Sequence, residues 1–194
     1  MAKFPARVHV LLAREADFGL ILRRGPSKQV CTIGWDRRED TFQLGQWLLG
    51  RIYERRSDLS PDGKHFIYFA MNGKWSGAAK GSWTAISRAP YLKALGLWAN
   101  GSAWYGGGLF TSNSSYWLNA FEYGHEEISR PGNLIEQEER PFHESYGGES
   151  PGVYYIRLQR DGWKLIGRAE GGAADYYHLF RKPLPLGWAI EKTA

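Results

Sequence analysis

Leu59-Ser60-Pro61-Asp62-Gly63-Lys64-His65-Phe66-Ile67-Tyr68-Phe69 is the stretch that decides the fold. Asp62-Gly63 reads as a tight turn, because Gly accepts positive φ and Asp closes turns through its own carboxylate. The turn runs straight into a strand. Side chains of an extended chain alternate between faces, so His65, Ile67 and Phe69 line one side and Phe66, Tyr68 and Ala70 the other. A sheet with one wet face alternates apolar and polar residues. This segment does not, which predicts a strand covered on both sides.

The pattern recurs. Gly25 precedes Gly63 by 38 residues, and Asn100-Gly101 follows it by 38. A fourth instance, Asp161-Gly162, comes 61 residues later, the extra length falling on an acidic segment at 122–150. An aromatic segment follows each turn: Thr41-Phe42-Gln43-Leu44, Ser82-Trp83-Thr84-Ala85-Ile86, Ser115-Tyr116-Trp117-Leu118 and Asp175-Tyr176-Tyr177-His178-Leu179. Each unit therefore reads as turn, strand, loop and aromatic strand, and spacings of this size mark propellers and arrays.

Composition agrees. The 194 residues include 24 Gly, nine Trp and eleven Tyr, a mixture suited to many short strands with tight turns. No window carries a sustained 3.6-residue apolar stripe, so long helices are not expected. The lone Cys31 cannot form an internal disulfide. No apolar run reaches bilayer length, and the first residues carry no signal core before Arg14-Glu15, so a cytoplasmic protein without a membrane partner is expected. The net charge is +5, yet residues 122–150 hold eight Glu against Arg130 and Arg140. The remainder is strongly basic, so the acidic segment is expected to lie against the basic body or to be solvated; the sharper alternative is basic surface that meets an acidic partner such as nucleic acid, which is weakly supported.

The Leu59–Lys64 turn and the aromatic strand after it resemble the repeat of TolB-type, WD-like β-propellers, in which a Ser-Pro-Asp-Gly turn joins the first two strands of a blade. The resemblance spans about a dozen residues; the turns at Gly25, Gly101 and Gly162 depart from the motif, and Trp35-Asp36 is the one Trp-Asp dipeptide. It implies a ring of sheets used for binding and no catalytic residues. The expected fold is all-β over one domain, 1–194: a small propeller or propeller-like array of about four antiparallel sheet units, with an acidic loop insertion at 122–150.

The same segment supplies the candidate binding residues: His125, Glu126, Glu127, Glu136, Glu138, Glu139, His143 and Glu144. Pairs of His and carboxylates on two arms of a loop can converge as metal ligands do. Their spacing matches no helical H-E-x-x-H pattern, and a solvated loop or partner surface is the expected reading. Cys31, in Val30-Cys31-Thr32-Ile33, reads as a small buried hydrophobe. His9 and His178 read as strand residues. Tyr105-Gly106-Gly107-Gly108 leads to no helix and no Walker lysine, so it reads as a strand where a neighbouring backbone or ring packs close. The pairs Arg23-Arg24, Arg37-Arg38 and Arg55-Arg56 can grip an anion or stack on aromatics. Trp75, Trp98 and Trp104 suit core packing or sugar stacking. The expected function is a non-catalytic binding or scaffold module that contacts another protein, without cofactor or metal. The alternatives are a carbohydrate-binding propeller and, third, a metal-dependent hydrolase using the 122–150 loop. Oligomeric state is not legible.

Overall fold

The computed structural model describes residues 5–26, 28–120, 125–139, 152–170, 176–183 and 189–193. They form fifteen strands and one short helix, in order β1 (Arg7–Leu12), β2 (Phe18–Arg24), β3 (Gln29–Asp36), β4 (Thr41–Leu49), β5 (Arg51–Leu59), β6 (His65–Met71), β7 (Ser82–Arg88), β8 (Ala94–Ala99), β9 (Gly108–Phe110), β10 (Ser115–Leu118), β11 (Glu126–Ser129), β12 (Ile135–Glu136), α1 (Gly152–Arg160), β13 (Lys164–Glu170), β14 (Tyr176–Pro183) and β15 (Ala189–Thr193). No helix among the described residues is long and apolar enough to cross a membrane. The chain divides into two compact units, 1–153 and 154–194.

The first unit holds three sheets, with strand orders β1-β2-β3-β4, β11-β8-β7-β6-β5 and β12-β10-β9. Pairing is antiparallel except between β10 and β12. The second sheet lies between the other two. Phe66, Tyr68 and Ala70 of β6 pack with Leu11, Leu20, Leu22 and Val30 of the first sheet. From the opposite face Ile67 and Ile86 pack with Phe110, Tyr116 and Leu118 of the third. The expectation that β6 is covered on both sides holds: Phe66, Ile67 and Phe69 are each 0% exposed. Each such side chain contributes about 2 kcal/mol relative to exposure.

The turn before β6 is built from its own side chains. The Gly63 N–H donates to Ser60 O at 2.9 Å, the Ser60 hydroxyl to Asp62 Oδ1 at 2.7 Å, and the His65 N–H to Ser60 Oγ at 2.9 Å. Gly63 sits at φ 75°, a conformation that a Cβ disfavours.

Strand–loop–strand pairs follow all four glycine turns. They are the hairpins β3/β4, β6/β7, β9/β10 and β13/β14, each in a different sheet. What precedes the turns differs. Gly101 follows β8, which pairs with β7 and β11 rather than with β9. Leu158-Gln159-Arg160 ends helix α1 instead of a strand. There Gly162, at φ 89°, is the left-handed cap: its N–H donates to Gln159 O at 3.0 Å, and the Trp163 N–H to Leu158 O at 2.9 Å. The same glycine conformation serves a hairpin and a helix end, so the turn residues alone did not separate them.

The 122–150 segment, expected as a loop insertion, is built into the sheets over its described part. β11 extends the second sheet beside β8, and β12 runs beside β10. Leu134, between them, is buried in the core shared with Trp98 and Tyr116. Lengthening a loop costs little entropy, but this segment is paired into two sheets and anchored in the core by Leu134, although the strand residues themselves stay largely exposed.

The second unit places β14 between β13 and β15. Within it the Tyr155 ring stacks on Phe180, centroids 5.5 Å apart, and meets His178 at 4.9 Å.

A Cβ at Gly63 would add contact with the Phe18 ring at 2.9 Å to its φ strain, whereas one at Gly132 meets nothing within 4 Å. Gly63→Val is expected to cost about 1–3 kcal/mol in urea unfolding and Gly132→Val under about 1. Equal midpoints for the two variants would count against the turn.

Candidate functional site

Three of the five described carboxylates of the acidic segment are engaged close to home. Glu126 pairs with Lys80. Glu127 and Glu136 converge on Arg130, at 2.6 and 3.3 Å. The Arg130 hydrogen bond holds the Glu127 carboxyl below the usual range, while burial pushes that of Glu136 up. Burial, reinforced by Glu136, pushes the neighbouring Tyr116 phenol up to about 12. Glu138 and Glu139 are exposed. His125 lies apart, its Nε2 3.2 Å from Thr84 Oγ1. His143 and Glu144 lie outside the described residues. No group of three His, Cys, Asp or Glu able to hold a metal occurs among the described residues.

The paired arginines take unlike roles. Arg56 is buried: its Nη1 donates to Ala103 O and Tyr105 O, both at 2.7 Å, and its guanidinium lies 5.1 Å from the Phe69 ring centroid. Arg37 donates to Ala16 O at 2.7 Å, and Arg38 bonds Asp17 at 3.1 Å. Arg23 donates to Gly25 O and lies over the Trp47 ring. Arg24 is different, because it opens into a groove.

That groove, of about 930 Å³, lies where one end of the first sheet meets one end of the second. Three turns frame it. At the β2–β3 turn the Gly25 N–H donates to Gln29 O at 3.0 Å. At the β4–β5 junction the Gly50 N–H donates to Lys28 O at 2.8 Å. In the β6–β7 loop the Asn72 N–H donates to Gly81 O at 3.0 Å, and the Lys74 N–H to Asn72 Oδ1 at 2.9 Å. The frame is thus fixed by backbone bonds, not by its charged side chains.

Five cations line it: Arg7, Arg24, Lys28, Arg51 and Lys74. No carboxylate does, and none of the five forms an ion pair among the described residues. Arg7 and Arg24 are direct cross-strand partners. Like charges placed opposite each other in a ladder are unfavourable. Leu49, Tyr53 and Met71 supply apolar lining, with the Arg51 guanidinium 4.1 Å from the Tyr53 ring centroid. A smaller hollow of about 380 Å³ shares Arg7 and Arg24 and reaches Leu22, Ile52 and Glu54.

Such a site favours an anion with some apolar surface. It holds no nucleophile–base pair. Cys31 is buried on the first sheet, its thiol pushed up by burial against the pull of Arg23. Trp98 is core, 2% exposed, while Trp75 and Trp104 are exposed. Gly106 and Gly107 bear out the close packing but not the strand, which begins at Gly108: a Cβ there would strike the Phe69 ring and the Arg56 carbonyl oxygen respectively. Of the groove cations, sequence reasoning singled out Arg24 alone. The others are scattered singly along the chain; the register Arg7↔Arg24 and the meeting of the three turns gather them.

No protein-family model, curated protein or solved structure matches the chain.

His125 gives a pH prediction. Burial depresses its pKa from 6.5 to about 4, and its Nδ1 has no hydrogen-bond partner among the described residues. Between those values the unfolded chain binds the proton and the folded chain does not, so stability falls as pH drops from 6.5 towards 4. His65, depressed chiefly by burial, acts in the same direction. His125→Gln should flatten the loss by about 1–3 kcal/mol across that range. Urea midpoints at several pH values check this; an unchanged slope would refute it.

Proposed function

We propose that the chain is a non-catalytic binding module that docks an acidic segment of a partner protein in the basic groove. The observation that carries this reading is the set of five cations lining one preformed groove with no carboxylate among them. A cluster of like charge lowers stability through self-repulsion and is relieved by an anion. Apolar lining at Leu49 and Met71 suits a peptide with aliphatic residues between its carboxylates better than a bare polyanion. Tyr53 and the guanidinium of Arg51 add a flat stacking surface.

The fold reading that accompanies this proposal is a propeller-like array. Its support is the face-to-face succession of three sheets in the first unit and the recurrence of one hairpin per sheet. Contacting a partner at the ends of stacked strands is the use that such an array has for binding. A sugar-binding reading is favoured by one observation, the exposed rings of Trp75 and Trp104, at 54% and 60%; a glycan array tests it directly.

The groove is tested by fluorescence anisotropy with a labelled Glu/Leu peptide and, in parallel, a single-stranded oligonucleotide. The peptide should bind, and weaken steeply with salt. Arg24→Glu and Arg51→Glu should each weaken it by about tenfold or more. Arg38→Glu, at the opposite end of the first sheet, should not. Binding of the oligonucleotide alone, or losses equal at Arg38 and Arg24, would overturn the reading.

A further inference from the structure

The first sheet has a second face. On β1 it is formed by Val8, Val10 and Leu12, and the ladder carries it through Ile21 and Ile33 to Phe42, Leu44 and Trp47 on β4. The opposite face is the one packed on the second sheet. Here Val8, Leu12, Phe42, Leu44 and Trp47 are 62%, 52%, 61%, 62% and 54% exposed. The register places one charged side chain on this face, Arg23, which is held over the Trp47 ring and bonded to Gly25 O. Phe42 and Trp35 stack on it with centroids 6.1 Å apart. Beside Trp47 and Leu49 lies a shallow hollow of about 200 Å³.

We infer that this face is the interface through which two copies of the chain associate. Its chemistry fixes the kind of occupant. A flat, apolar sheet surface whose one neighbouring carboxylate among the described residues, Asp40, sits at its margin and is bonded by Trp35 Nε1 at 2.9 Å, is covered by another flat apolar surface, as the second sheet is covered on both sides. The exposed apolar side chains leave on the order of 700 Å², more than scattered surface residues leave and close to what one partner buries in a stable interface. The same face on a second copy is flat, apolar and of equal area. A two-fold pairing brings like patches together, the commonest symmetry for such contacts. Aromatic side chains near its edge, Phe42 and Trp47, are of the type that carries interface energy. This face meets the basic groove at Leu49, but the inference does not depend on the reading given to the groove.

The test is sedimentation velocity of the full chain from about 1 to 100 µM. A concentration-dependent dimer that high salt does not dissociate is expected. Leu44→Lys on β4 and Val10→Lys on β1 should each shift the chain to monomer at all concentrations with far-UV circular dichroism unchanged. The two sites lie on opposite edges of the sheet, so failure of one variant to fold leaves the other decisive. Hydrogen exchange adds an independent readout: protection of β4 should rise with protein concentration. A monomer throughout the range, a dimer that survives both substitutions, or β4 protection independent of concentration would each overturn the inference, the last by assigning the cover to the chain itself.

Discussion

Strand β6 has no wet side, and the arrangement of the first unit follows from that. Phe66, Ile67 and Phe69 are fully buried, yet Phe66 points to one face and Ile67 and Phe69 to the other. One sheet against β6 would leave half of them in water, at about 2 kcal/mol for each large side chain. Two layers are therefore required, and the chain supplies one from before β6 and one from after it. The third sheet is tied down where β5 departs from regular pairing. Tyr53 is opposite Phe69 and Asp58 opposite Ile67, so residues 54–57 bulge out against a single residue of β6. The bulge re-aims two side chains, as bulges do. Arg56 reaches the carbonyls of Ala103 and Tyr105, and Asp58 accepts the Phe110 N–H at 2.9 Å. A buried cation and a buried carboxylate, each given backbone partners, fasten the third layer to the second.

Charge is distributed by the same logic. The described carboxylates of the acidic segment that form ion pairs do so with Lys80 and Arg130, beside β11 and β12. Solvent screens these surface pairs; their larger effect is that these acids do not reach the groove. The excess of basic side chains is left uncompensated at one end of the first two sheets. An acidic segment in the sequence thus leaves a cationic site in the fold.

What was legible depended on range. The turn at Gly63, the double-sided burial of β6, the aromatic strands, the buried Cys31 and the close packing at Gly106-Gly107 follow from neighbours along the chain, and the sequence carries them. Helix α1 was missed because Asp161-Gly162 has the residues of a hairpin turn and the helix before it is short. β11 and β12 were missed because Glu-rich runs usually stay in water; here Leu134 and Pro131, two buried residues in that run, hold them in place. The groove was legible at Arg24 alone, since cross-strand register brings Arg7 and Arg51 to it and the β6–β7 loop brings Lys74, none of which spacing reveals.

The rule that organises β6 applies equally to the first sheet, and there it is unmet within the described residues. Val8, Leu12, Phe42 and Leu44 repeat the two-sided apolar pattern, but more than half of each side chain lies in water. A sequence that tolerated an open sheet would carry polar residues at those positions, as antiparallel sheets with one solvated face do. Edge strands are ordinarily kept apart by inward charges, Pro or short length, and β4 carries neither charge nor Pro over its nine residues. Its one irregularity is the register shift opposite Cys31 and Ile33, where the Gln46 N–H donates to Thr32 Oγ1 at 3.0 Å. That shift keeps Trp47 on the apolar face with Leu44 despite the three-residue step between them. A bulge that preserves an apolar face is explained by a surface that meets another surface, and the same physical requirement that stacks the three layers extends to a fourth.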